Sequence, residues 1–268
     1  MNISPNILSN HNNVSNCAVD TNILIAVYND EDRLHQDALE LMKHINNLYI
    51  GHSVIDETCI TFGKKIREVI SKVVLFYSKL DLKSREEEII KMENDLLSQL
   101  NSENPQNVNF HKFIIKKSRE IRKKSSSNND IIKGLLRLHK ELNDAVCILN
   151  TITNKILSIN SEINFYPYTF VNNKRYNDKI REVTELIKDI KFKDSNDKKI
   201  FVELVVCYPA HFELPIVFVS DDKEFIKKSH RAIDKLKSKY GESYFDDLIF
   251  KLLKEYLKDL TSIYSNKV

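Results

Sequence analysis

Tryptophan is absent from this chain of 268 residues, which also has only 4 glycines, 5 prolines and 4 cysteines. So few glycines and prolines leave little material for tight turns and argue against a turn-rich all-β fold. Lys, Ile, Asn, Leu and Glu dominate instead, a mixture that favours helices. Cys17, Cys59, Cys147 and Cys207 are far apart and form no Cys-x-x-Cys pair. That spacing argues against a zinc ribbon, a redox dithiol and a disulfide framework. No apolar stretch reaches the ~18 residues needed to cross a bilayer. Residues 1–16 are polar and Asn-rich, with no apolar run of signal-peptide length. The expectation is a soluble, cytoplasmic protein with no membrane partner. A strong charge of one sign is lacking too, since the formal net charge is +3. The balance is uneven, however. Residues 64–188 hold 24 Lys and Arg against 16 Asp and Glu, whereas the remainder holds 17 against 22. Such asymmetry fits a basic substrate-gripping segment joined to an acidic site, and equally a protein that binds nothing.

Residues 14–19 read as a short buried strand ending at Asp20. Residues 23–28 fit either a continuing strand or a helix. The cluster Asn29-Asp30-Glu31-Asp32 predicts a helix start, after which Leu34, Ala38, Leu41, Met42 and Ile45 recur at helical spacing. Leu48-Tyr49-Ile50 reads as a second strand. Ser53 with Asp56 resembles a capping box that opens a helix carrying Glu57. Strand, helix, strand, helix predicts a parallel sheet with helices on its faces.

From residue 64 to 189 the pattern is almost wholly helical. Ile66, Val69, Ile70, Val73, Val74 and Tyr77 form one stripe; Ile89, Met92, Leu96 and Leu100 a second; Ile131, Leu135, Leu138, Leu142, Cys147 and Ile148 a third. Breaks fall near residues 101–107, 125–129 and 160–173. Amphipathic helices of this kind bury their stripes on one another, as in a bundle or hairpin arm. Further on, residues 200–207 fit a helix, 215–219 a buried strand, and Ser220 a new helix start. Residues 231–264 read as two helices divided at Gly241, with no closing strand. The expected fold class is α/β. A short parallel sheet flanked by helices, residues 1–63 and 192–268, is interrupted by a largely α-helical insertion, residues 64–191.

Two carboxylates stand just past the ends of expected strands. Asp20 follows the first, and Asp222, beside Asp221, follows the strand at 215–219. In open parallel sheets the strands' carboxyl ends border the ligand crevice, so these acids can meet although about 200 positions apart. Glu57 lies in the first turns of the helix after the second strand, and Asp194 and Asp197 begin the helix before the later strand. Helix starts that follow or precede parallel strands face this same edge. Each acid also has an ordinary reading, as a helix cap or an exposed first-turn residue. Four or five carboxylates crowded at one edge repel one another and are tolerated when a hard divalent cation neutralises them. Mg²⁺ or Mn²⁺ is the natural choice, because no His or Cys cluster suits zinc. Such ions polarise phosphoryl oxygens and lower the pKa of bound water, the chemistry of phosphodiester hydrolysis.

Val19-Asp20-Thr21-Asn22-Ile23-Leu24-Ile25 resembles the opening signature of the PIN-domain nucleases. Ile50-Gly51-His52-Ser53-Val54-Ile55-Asp56-Glu57 resembles their second strand and the helix bearing the family glutamate. Asp194-Ser195-Asn196-Asp197 and Val217-Phe218-Val219-Ser220-Asp221-Asp222 are similar to their third and fourth acidic motifs. The resemblance spans roughly residues 14–62 and 192–230 and implies a PIN-like fold. It implies a metal-dependent endoribonuclease that hydrolyses RNA by an activated water, with Asp20, Glu57, Asp197 and Asp222 as catalytic, metal-organising acids and Asp194 as a fifth metal ligand. Thr21 or Asn22 would orient Asp20, and Ser220 matches the family's hydroxyl position. The long insertion and the missing closing strand depart from the compact members. Minimal protein-only RNase P enzymes also look like a PIN core with a helical insertion, which makes precursor tRNA a candidate substrate. Family members are often homodimers, and the apolar C-terminal helices offer a surface for that.

Lys112, Lys116, Arg119 and Lys123 fall on one helical face, a stripe able to follow an RNA backbone or to stand as a solvated bundle face. Tyr166, Tyr168 and Phe170, near Lys174 and Arg175, are candidates for base stacking or for closing the helical core. Two other classes compete. One is a non-catalytic RNA-binding or assembly module on a PIN scaffold. The other is a phosphatase with Asp20 as nucleophile, which Asn22 opposes, since a second aspartate is expected there.

Overall fold

The computed structural model describes residues 16–168, 174–208 and 210–265. The first two residues of the strand expected from Val14, and Phe170, lie outside the described residues. The chain divides into two compact units. One comprises, among the described residues, 16–24, 36–57 and 154 onward; the other comprises 25–35 and 58–153.

The first unit carries a five-stranded sheet, all parallel, built from β1 (Asn16–Val19), β2 (Asn47–Gly51), β3 (Asn164–Tyr168), β4 (Ile216–Ser220) and β5 (Leu248–Leu252). β1, β2 and β4 are buried along their whole length. The apolar run Ile-Val-Phe-Val of β4 is what a strand covered on both faces requires. The spatial order is β3-β2-β1-β4-β5. From β1 the sheet grows one way through β2 and β3. It then reverses, with β4 laid on the other side of β1, where Cys17 pairs with Leu48 on one flank and Val217 on the other. Such a reversal creates a crevice beyond the carboxyl ends of the two central strands. Asp20 and Asp222 follow those two ends.

Two strands depart from the sequence expectation. β3 lies within the segment whose spacing read as helical. Its residues are Asn-Phe-Tyr-Pro-Tyr, mostly exposed, and it pairs with β2 on one side only. A proline is tolerated on such an edge strand, and a half-exposed aromatic strand carries no clean two-residue alternation. Residues 154–191, assigned to the insertion by helical spacing, accordingly group with the sheet. β5 is the closing strand that the sequence concealed. Leu248, Ile249 and Leu252 are spaced like a helical stripe with Phe245 and Tyr256, and a short apolar run fits either structure. Gly241, at φ 100°, ends the preceding helix.

The helices of this unit include α2 (His35–His44), whose first residue groups with the other unit, then α8 (Lys174–Leu186), α9 (Ser195–Cys207), α10 (Lys223–Tyr240) and α11 (Leu253–Ser265). Phe201 and Phe218 are fully buried. Ring centroids lie 5.4 Å apart for Phe218–Phe225, 6.0 Å for Phe201–Phe250 and 5.4 Å for Phe192–Phe201. Each buried ring contributes roughly 1.5–3 kcal/mol, and the tilted ring pairs add about 0.5–1.5 kcal/mol. This cluster ties α9 and α10 to β4 and β5, and so fixes the helix starts that bear Asp197 and Asp222.

The second unit is helical. α1 (Thr21–Tyr28), which starts in the first unit, resolves the strand-or-helix ambiguity of residues 23–28. The acidic cluster after it forms turns rather than a helix start. The Asn29 side chain accepts from the Glu31 N–H at 3.1 Å, and Asp32 from the Leu34 N–H at 2.9 Å. The long α3 (His52–Ser78) also starts in the first unit; α4 (Glu86–Glu103), α5 (Val108–Lys123), α6 (Asn128–Glu141) and most of α7 (Ala145–Leu157) follow it. The breaks expected near residues 101–107 and 125–129 separate α4, α5 and α6. One stripe is corrected. Met92 is 37% exposed, while Glu93, one position on, is 0% exposed. The buried row of α4 is Ile89, Glu93, Leu96 and Leu100. Glu93 is tolerated there because Arg119 Nε donates to it at 2.6 Å, Arg122 Nε at 2.9 Å and the Tyr77 hydroxyl at 2.8 Å.

Candidate functional site

Asp20 is the first residue past β1, and its N–H still donates to the Val219 carbonyl, 3.0 Å away on β4. Its buried carboxylate is held on both oxygens. The Thr21 N–H donates to Oδ1 at 2.7 Å, while the Ser220 hydroxyl and the Asn22 amide donate to Oδ2 at 2.6 and 2.9 Å. Ser220 ends β4 and is itself fully buried. Its oxygen also accepts from the Asp222 N–H at 3.0 Å and from the Asn22 amide at 3.1 Å, which uses the hydroxyl's full capacity. One hydroxyl therefore stands between Asp20 and the Asp222 backbone, with both acids at the same sheet edge.

Asp222 is the N-cap of α10, where Oδ1 accepts from the Glu224 and Phe225 N–H groups at 2.8 and 3.0 Å. Asp194 caps α9 in the same way, accepting from Asn196 and Asp197 at 2.8 and 3.0 Å. The caps engage Oδ1 in both cases. The other Asp222 oxygen, Oδ2, lies 3.8 Å from Lys193 Nζ. Asp197, in the first turn of α9, has a buried Oδ2 with no hydrogen-bond partner among the described residues. Glu57, in the early turns of α3, accepts from the Thr21 hydroxyl at 3.0 Å.

The charges of these acids reach one another. Burial, then Asp194, Asp20, Asp222 and Glu57, pushes the Asp197 carboxyl up to about 7. Burial lifts Glu57; the Thr21 hydroxyl opposes the rise, and Asp20 and Asp194 add to it. Asp20 is raised chiefly by burial, against the hydrogen bonds from Ser220, Thr21 and Asn22, and Asp222 raises it further. Asp222 is a neighbour whose charge both Asp20 and Asp197 feel. Asp20, Glu57, Asp194, Asp197 and Asp222 thus form one electrostatic group of oxygen donors, without Cys or His, the kind of set that suits a hard divalent cation. Among the described residues, no three His, Cys, Asp or Glu side chains form a ready coordination shell.

Lys112, Lys116, Arg119 and Lys123 lie on α5, in the other unit. Arg119 is engaged by buried Glu93, and Lys116 Nζ lies 2.6 Å from Asp30 and 3.3 Å from Glu31. Lys112 and Lys123 are exposed. Tyr166 and Tyr168 belong to β3 rather than to a loop. Tyr168 is buried, and Tyr166 stacks on Tyr49 with centroids 5.0 Å apart.

Sequence reasoning missed Glu203 and Lys193. Glu203 is 1% exposed on α9, and its Oε2 accepts from the Ser53 N–H at 2.9 Å. It serves the start of α3, where a Ser53–Asp56 capping box was expected. The helix begins at His52, directly after β2, so Ser53 is already inside the first turn and its N–H needs an outside acceptor. A signal existed: Glu203 is the sole charge in Ile-Phe-Val-Glu-Leu-Val-Val-Cys. Gly51 leaves it room, since a Cβ there would stand 2.7 Å from Glu203 Oε2 and 3.0 Å from the Tyr168 ring. Gly51→Ala is expected to cost roughly 1–3 kcal/mol through this overpacking, read from urea unfolding. An unchanged midpoint would mean that the Glu203 carboxylate is free to move.

The chain matches no family model, no curated protein and no solved structure.

Proposed function

We propose that the chain is a metal-dependent endoribonuclease, PIN-like in its sheet and acidic motifs, whose site comprises Asp20, Glu57, Asp194, Asp197 and Asp222. The observation that carries this reading is the gathering of five carboxylates at the switch point of a parallel sheet, one of them with an unpartnered buried oxygen, Asp197 Oδ2. A buried, unpaired carboxylate oxygen among like charges is costly, and Mg²⁺ or Mn²⁺ held by these acids would offset that cost. When bound, such a cation polarises a phosphoryl oxygen and makes water a better nucleophile.

The chain's own groups supply the rest. Ser220, Asn22 and the Thr21 N–H hold Asp20 in one orientation, and the Thr21 hydroxyl does the same for Glu57. Asp197, pushed up to about 7, takes or releases a proton at Oδ2 near neutral pH, where general acid–base catalysis is efficient.

The test is incubation with single-stranded RNA, a tRNA-like RNA and flap DNA, each in Mg²⁺, Mn²⁺ or chelator. Metal-dependent internal cleavage of RNA is the expected result. RNA binding without cleavage would transfer the chain to the non-catalytic RNA-binding class, and neither binding nor cleavage would remove both readings.

The raised carboxyls also set a pH dependence. A carboxyl whose folded pKa is raised contributes stability that is fully present below its unfolded value and is lost as pH rises through the folded value. For Asp197 that window runs from its ordinary 3.8 to about 7. The metal-free protein is expected to lose stability across it, and a divalent cation to restore stability above it. Millimolar Mn²⁺ should therefore raise Tm by several degrees at about pH 8 and by much less at about pH 5, where protons compete. Equal shifts at the two pH values would remove Asp197 from the cation site.

A further inference from the structure

In the unit that holds the acidic group, α10 carries a row of basic residues. Lys228, Arg231 and Lys235 recur at i, i+3 and i+7, which places them on one side of the helix. With Asp189, Ile190 and Lys191, from the segment leading into the Asp194 cap, they line a surface cleft of about 420 Å³. Asp189 pairs with Lys235. Lys191, Lys228 and Arg231 have no ion pair among the described residues, and Lys191 and Arg231 are exposed. Asp222 caps α10, so Lys228 and Arg231 follow it by six and nine residues, about 9 and 14 Å along the axis. Lys193, two residues after Lys191 of the cleft, lies 3.8 Å from Asp222.

We propose that this cleft is a subsite for the backbone phosphates of an RNA strand, flanking the phosphodiester held at the carboxylates. The subsite rests on the nuclease reading for its orientation, but its binding is measurable without chemistry. Lys228 and Arg231 on one side of α10, together with Lys191 across the cleft lining, have no ion pair among the described residues and suit the phosphates of a single chain. The carboxylates themselves repel that chain, so its grip must come from beside them. On α5 the equivalent stripe is half neutralised by Glu93, Asp30 and Glu31.

The test compares the full-length Asp20→Asn protein with the same protein also carrying Lys191→Ala, Lys228→Ala and Arg231→Ala. A Lys112→Ala, Lys123→Ala control on α5 is measured alongside. Binding of a labelled single-stranded RNA is followed by fluorescence anisotropy in chelator over a range of salt. Loss of three phosphate contacts is expected to weaken binding at least tenfold and to make the log–log salt slope shallower by about 2, with little change for the α5 control. Unchanged affinity and slope in the triple variant would overturn the proposal, as would binding to anionic vesicles without binding to RNA. The two readings separate cleanly. If the parent protein binds RNA through α10 yet never cuts it in Mn²⁺, the nuclease reading fails and the subsite stands. If it cuts RNA and the triple variant in an otherwise native background binds and cuts equally well, the subsite fails alone.

Discussion

Asparagine at position 20 is expected to lower metal-dependent RNA cleavage by ~100-fold or more, without unfolding the protein. The substitution preserves shape and keeps one oxygen for the Thr21 N–H. It replaces the other oxygen, which accepts from the Ser220 hydroxyl and the Asn22 amide, with a donor. Ser220 can turn its proton away, but the Asn22 amide then faces another donor. The central negative charge of the group disappears at the same time. Because that charge is buried and raises the Asp197 and Glu57 carboxyls, its loss relieves repulsion in the metal-free state. Thermal stability without metal should hold or rise, while the Mn²⁺-induced rise in Tm should shrink. Gel-based cleavage and thermal melts read the two effects separately. Parental cleavage rates in Asp20→Asn would mean that the chemistry, if present, resides elsewhere.

Glu93→Ala is expected to produce the largest loss of stability, about 3–5 kcal/mol, because it removes one partner from a buried ionic network. Glu93 is fully buried on α4 and receives Tyr77 from α3 together with Arg119 and Arg122 from α5. Arg122 is nearly as buried and keeps a bidentate pair with Glu86, at 2.7 Å on each nitrogen. The truncation therefore strands the Tyr77 hydroxyl and half of the Arg122 fork rather than a whole bare charge, which puts the outcome toward the lower figure. For a chain of this size, each kcal/mol corresponds to roughly 2–4 °C in Tm. Glu93→Gln, which keeps two hydrogen-bonding atoms, should cost about half as much. A midpoint within about 0.5 kcal/mol of the parent for Glu93→Ala would show that the three helices are held by their apolar contacts alone.

The readable parts of this sequence were those where one local rule acted without a rival. Acids follow the largely apolar runs of β1 and β4, so Asp20 and Asp222 stood out. Asp194 and Asp197 showed themselves through an acid three residues ahead of another. The same spacing that marks a cap marked the candidate site, and the structure shows the capping role, with Oδ1 of Asp194 and Asp222 turned to the helix N–H groups. The unreadable parts were those settled at long range. β3 is recognisable only beside β2, and β5 only beside β4, because neither has a period that separates strand from helix. Glu93 and Glu203 sit where burial rules favour an apolar residue, and each is there because of donors 16 to 150 positions away. The basic stripe on α5 shows the converse limit, since Lys116 and Arg119 have carboxylate partners. Its helical spacing was real, but sequence spacing does not disclose which cations already have a carboxylate.

The central strand meets neighbours that are far apart in sequence. β2 follows it within a few dozen residues, but β4 comes only about two hundred residues later. During synthesis the N-terminal strand must therefore wait with one hydrogen-bonding edge bare, and Asp20 must wait for the serine that orients it. Any product that stops short of Ile216 lacks both, whatever helices it has already formed. Completion of the acidic group is consequently a late event in folding, since it waits for a strand that follows β1 by about two hundred residues.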